Sequence, residues 1–149
     1  MLESVETVVK ALDEFSEKTG VRKDVIVVGG GACLLLRGMR DRTADLNIWV
    51  AEEEFRKLAN EHRVFLHPMV DVALNLPEFP GIWIRKYNPY FKTDKVRGLY
   101  VYNLISMIVF KRGGYSRPER PKAKRDQDIL DLAALNEVYK EEHRVKEVA

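Results

Sequence analysis

The chain has 149 residues, a formal net charge of +2, 46% hydrophobic and 32% charged residues and one cysteine. Those values describe a soluble globular domain of common size and exclude an internal disulfide or a cysteine-cluster metal site. The net charge is too small to announce a nucleic-acid binder by itself, and no apolar run reaches the length needed to cross a bilayer. The expectation is a cytoplasmic single domain over 1–149 with a helical segment from about 102 to 142.

In chain order, residues 2–19 space Val5, Val8, Val9, Leu12 and Phe15 at three- and four-residue intervals, which predicts an amphipathic helix that Gly20 ends. Its apolar face leaves packing within one subunit or between two copies open. The β-branched run Val25 to Val28 predicts a strand that leaves through Gly29, Gly30 and Gly31 into a short helix from Ala32 to Arg37. Such a turn exposes backbone N–H groups suited to an anion, or it is a tight turn with no ligand. Cys33 lies among Ala32 and Leu34 to Leu36 and reads as a small core residue.

Thr43 to Val50 reads as a second strand, with Thr43, Asp45 and Asn47 on one face and Ala44, Leu46 and Ile48 on the other. An ordinary half-solvated strand alternates in the same way. Ala51 to His62 predicts a helix with Phe55, Leu58 and Ala59 on its apolar side and Glu52 to Glu54 in its first turn. Short strands follow at Arg63 to Leu66 and Met69 to Leu74. The second carries a lone acid, Asp71, between valines, a position that needs a partner or an edge facing water.

A turn at 76–81 precedes a strand from Ile82 to Tyr87, and a strand pair is expected around Tyr90 to Lys92 and Val96 to Tyr100. Trp83, Tyr87, Tyr90, Phe91 and Tyr100 would either stack on a base or pack within the sheet. Leu104, Ile105, Ile108 and Val109 predict a helix ending near Lys111 to Gly114, followed by a basic loop from Tyr115 to Lys124. A last helix runs from Arg125, with Asp126 and Asp128 placed to favour its dipole.

Together the glycine turn and the Thr43 to Val50 strand resemble the nucleotidyltransferase fold of the DNA polymerase beta superfamily. That pattern is a strand, Gly-Gly or Gly-Ser, a short helix, and a strand bearing Asp-x-Asp or Asp-x-Glu. The chain is similar in particular to the branch that includes AbiEii-type toxins and many uncharacterised bacterial and archaeal proteins. The matching residues are Gly30 and Gly31, or the pair one step earlier with Gly29, then Arg42, Thr43, Asp45 and, in place of the second carboxylate, Asn47. Val70-Asp71-Val72 matches the hydrophobic-Asp-hydrophobic context of a third carboxylate. Lys111, followed by Arg125-Asp-Gln-Asp128-Ile-Leu-Asp131, matches a carboxy-terminal motif in which lysine stands where this chain has Gln127.

The resemblance implies an α/β (α+β) protein with a small mixed sheet and flanking helices. It implies Mg²⁺ or Mn²⁺ held by Asp45, Asn47 and Asp71, and nucleoside triphosphate phosphates met by Gly29 to Gly31, Arg42, Thr43 and Lys111. The acceptor hydroxyl would belong to RNA, protein or a small molecule. Asn47 keeps an oxygen donor but loses a charge, and hard cations are held mainly by anionic oxygens. The alternatives are a binding module that kept the cleft without turnover, and one half of a toxin–antitoxin pair docked through its basic loop.

Overall fold

The structure, a computed structural model, describes residues 1–62 and 73–148. The chain divides into two compact units, 1–102 and 103–149. The first is mixed α/β: helix α1 (Val5–Thr19), a 3-10 turn (Lys23–Val25), β1 (Ile26–Gly29), α2 (Gly30–Leu36), β2 (Leu46–Val50), α3 (Glu52–Glu61), β3 (Ile82–Lys86), β4 (Thr93–Val96) and β5 (Leu99–Tyr102). The second unit consists of α4 (Leu104–Tyr115) packed on α5 (Lys122–Val148).

Helix α1 begins with a capping box, in which the Ser4 hydroxyl accepts from the Thr7 amide and the Thr7 hydroxyl accepts from the Ser4 amide. It ends on Gly20 at φ 78, a left-handed residue whose amide donates to Ser16. Val8, Leu12 and Phe15 are its buried stripe, and the Phe15 ring meets Phe79 edge-on at 5.2 Å. Helix α3 buries Phe55, Leu58 and Ala59 as its spacing requires, with three glutamates in the first turn.

The sheet order is β3-β2-β1-β5-β4. β1 runs antiparallel to β2 and parallel to β5; β2 is parallel to β3, and β4 antiparallel to β5. Register puts Ile26, Val28, Leu46, Ile48, Val50, Ile84 and Val101 on one face, all buried in the core. The other face carries Val27, Gly29, Asn47, Trp49, Trp83, Arg85, Tyr100 and Tyr102.

Three expectations shift. The strand pair foreseen around Tyr90 to Lys92 and Val96 to Tyr100 lies instead at Thr93–Val96 and Leu99–Tyr102. Its two-residue turn is Arg97 at φ 52 and Gly98 at φ 80, and an arginine in left-handed backbone gives no sequence signal. The strand foreseen over Thr43 to Val50 starts at Leu46, so the alternation holds only from there; Thr43 is buried and Ala44 exposed. Helix α5 starts at Lys122, after Pro121, so its first turn has no acid and Asp128 lies in the second turn. The strand foreseen at Arg63 to Leu66, and residues 69–72 of the next one, lie outside the described residues. Leu74 itself forms an antiparallel bridge with Ile84.

Candidate functional site

The three glycines at the β1–α2 turn each face a different side chain. A Cβ on Gly29 would sit 2.5 Å from the Trp49 ring and 3.0 Å from Tyr102. One on Gly30, which holds φ 59, would meet the Asn47 amide nitrogen at 3.2 Å, and one on Gly31 would lie 2.3 Å from both Thr43 Oγ1 and the Arg40 guanidinium. The run is glycine because β2 and the loop before it close over the turn, and because Gly30 adopts backbone that L residues avoid.

Asn47 stands opposite Gly29 in the β1–β2 register. Its Oδ1 accepts a hydrogen bond from Arg85 Nη1 at 2.5 Å. Arg85 is the register partner of Trp49 and lays its guanidinium over that ring, 5.5 Å from the centroid. Trp49 in turn meets Tyr102 edge-on at 5.1 Å, Tyr87 stacks on Tyr102 at 6.1 Å and Phe91 meets it edge-on at 6.1 Å. Burial, and then the neighbouring Tyr87, push the Tyr102 hydroxyl above the ordinary tyrosine range.

Cys33 is fully buried, with its Sγ directed at the Tyr102 carbonyl at 3.7 Å, in keeping with a core role. Arg37, which caps the end of α2, donates to the same carbonyl and to Asp94, each at 2.9 Å. The end of α2 is thereby tied to the β4–β5 hairpin.

Of the sequence-derived residues, Gly29, Gly30, Gly31, Thr43 and Asn47 come together around this turn. Thr43 is buried, bridges to Leu2 and donates its hydroxyl to the Asp45 carbonyl oxygen at 3.3 Å. Asp45 is half-buried one residue before β2, and Arg42 is exposed. Asp71 lies outside the described residues. Lys111 belongs to the helical unit, where its ammonium lies 3.0 Å from Asp131 and 3.3 Å from Asp128.

Arg85, Arg40 and Trp49 are the residues that sequence reasoning missed. The alternation Trp83, Arg85 along β3 was a signal for a shared face, but only the pairing of β3 with β2 brings that face to Asn47. A shallow cleft of about 220 Å³ lined by Met1, Leu2, Ala11, Glu14, Ala44 and Phe79 includes none of the residues around the turn.

Of the three residues expected to hold a cation, Asp45 and Asn47 lie among the described residues and Asp71 does not. The amide oxygen of Asn47 accepts from the Arg85 guanidinium, and β3 presents Trp83 and Arg85 beside Asn47 and Trp49 of β2. Among the described residues no group of three or more His, Cys, Asp or Glu is arranged to hold a metal ion. What the arrangement offers is a glycine turn bordered by cationic and aromatic groups.

Comparison with known proteins gives one structural likeness. A nucleotidyltransferase-like antigenic protein from Paracoccidioides brasiliensis superposes with a TM-score of 0.47 and 18% identity, over 89% of this chain and 75% of that one. No protein-family model and no curated protein matches the chain. Among the described residues no helix is long and apolar enough to cross a membrane.

Proposed function

We propose that this chain binds a nucleoside triphosphate at the β1–α2 turn, as a nucleotidyltransferase-type module that holds the nucleotide without transferring it. The observation that carries this reading is the Asn47–Arg85 contact directly beside Gly30. The second position of the Asp-x-Asp pattern is a neutral amide, and the protein's own cation takes its oxygen. The backbone amide of half-buried Gly30, with exposed Arg42 nearby in sequence, supplies the phosphate-binding chemistry. Half-buried Trp83 and Tyr100 on the same sheet face supply aromatic surface for a base.

Transfer to an acceptor hydroxyl of RNA, protein or a small molecule is the second reading, and the retained Asp45 favours it. It requires Asp45 and Asp71 to hold Mg²⁺ or Mn²⁺ despite Asn47. Lys111 and the carboxy-terminal motif belong to that reading and to the AbiEii-like resemblance. Incubation with labelled nucleoside triphosphates, divalent cation and host RNA or lysate separates the two. Thermal stabilisation by triphosphate with no label transfer is the expected result; label transfer lost in Asp45→Ala would establish the enzyme instead.

A further inference from the structure

We infer that Arg85 fills, with its own charge, the place at Asn47 that a second divalent cation would need, so that a nucleotide at the glycine turn is bound independently of Mg²⁺. The inference rests on the nucleotide-binding reading and goes beyond it by naming what replaces the metal. A cation bound at position 47 would use the amide oxygen, the side chain's lone acceptor atom, and that atom already receives Arg85 Nη1 at 2.5 Å. An incoming Mg²⁺ would have to displace a guanidinium and then remain beside it, against the repulsion of like charges at close range.

Arg85 is not a surface arginine that swings aside without loss. Its strand position is fixed by the β2–β3 ladder, its guanidinium lies over Trp49, and Trp49 is wedged between Arg85 and Tyr102 above Gly29. Moving it gives up the hydrogen bond and the ring contact together. The neutral amide at 47 fits the same arrangement, because it accepts from a guanidinium while adding no charge that would recruit Mg²⁺.

The test compares wild type, Asn47→Asp, Arg85→Gln and the double variant by thermal shift. The probes are each of the four ribonucleoside triphosphates, in EDTA or in Mg²⁺, and Mn²⁺ alone. For wild type, triphosphate well above its Kd should raise Tm by about 5 °C or more, equally in EDTA and in Mg²⁺. Mn²⁺ alone should do nothing to wild type or to Asn47→Asp, where the new carboxylate pairs with Arg85. The double variant should gain a Mn²⁺-dependent shift. Arg85→Lys keeps the charge and should keep the EDTA-insensitive response even if Arg85→Gln is poorly folded.

Wild-type stabilisation that disappears in EDTA, or a wild-type shift with Mn²⁺ alone that Asn47→Ala removes, overturns the inference. If no triphosphate shifts wild type in either buffer, the nucleotide reading fails. The Mn²⁺ arm then still decides the metal question: a shift confined to the double variant supports the assignment of Arg85, and a wild-type shift that Asn47→Ala removes refutes it.

Discussion

Arg120 grips Asp128 with two nitrogens, Nε at 2.7 Å from one carboxylate oxygen and Nη2 at 3.3 Å from the other. Asp128 is 2% exposed, and Lys111 reaches its Oδ1 from α4 at 3.3 Å. This is a charge cluster joining α4, α5 and the loop between them around a buried carboxylate. Asp128→Ala leaves the Arg120 guanidinium without its carboxylate while Lys111 keeps Asp131 at 3.0 Å, which should lower stability by roughly 1–3 kcal/mol. Thermal unfolding of the full chain reads the loss; Glu137→Ala, exposed on the same helix, should change Tm little.

Two adjacent glycines near the end of α4 should respond in opposite senses. A Cβ at Gly113 meets nothing within 4 Å, so Gly113→Ala should stabilise the helix by about 0.5–1 kcal/mol. At Gly114 the same Cβ would lie 2.5 Å from Asp128 Oδ2 and 3.1 Å from its Cγ. Gly114→Ala should therefore be destabilising by about 1–3 kcal/mol, because the intruding methyl pushes on the carboxylate that Arg120 and Lys111 hold. A urea titration of both variants in parallel checks the sign of each.

Gly30 and Gly38 both hold left-handed backbone, at φ 59 and φ 76, but only Gly30 has a side chain against it, Asn47 at 3.2 Å. Both alanine substitutions should cost about 1 kcal/mol from the backbone alone. Gly30→Ala should also abolish the triphosphate thermal shift, whereas Gly38→Ala should retain it. Equal retention of the shift in the two variants would move the ligand away from the β1–α2 turn.

Tyr102 gives an alkaline signature. Its folded-state hydroxyl is held above the ordinary tyrosine range, so the unfolded chain loses this proton first as pH rises. The stability it contributes is fully present below about pH 10, the unfolded value, and falls above it by up to about 1.4 kcal/mol per pH unit until the folded hydroxyl also ionises. Unfolding measured between pH 8.5 and 11.5 should show that slope in wild type and a shallower one in Tyr102→Phe.

The parts of the fold legible in the sequence are those whose pattern is local. The stripe Val8, Leu12, Phe15 and the stripe Phe55, Leu58, Ala59 give α1 to within three residues and α3 to within one, because a helix's buried face is written at a fixed spacing. The β-branched run before Gly29 gives β1 because a strand buried on both faces is written as a continuous apolar run. The β4–β5 register was not legible, since Arg97 takes positive φ where the sequence shows no turn residue of that habit except Gly98.

At the candidate site the glycine turn was readable, but its reason was not. Asn47 was readable as a departure from an acidic pair, while Arg85, 38 positions later, could be assigned to it only through strand order.

Sequence alone thus determined an α/β chain built on a strand, a glycine turn and a polar strand, since side-chain periodicity and glycine's backbone freedom act over a few residues. Tertiary structure decided which groups meet. The parallel pairing of β3 with β2 brings a guanidinium onto the Asn47 oxygen, and the packing of α4 on α5 turns Asp128 and Lys111 toward each other. Those encounters depend on contacts between segments far apart in the chain, where no local spacing rule operates.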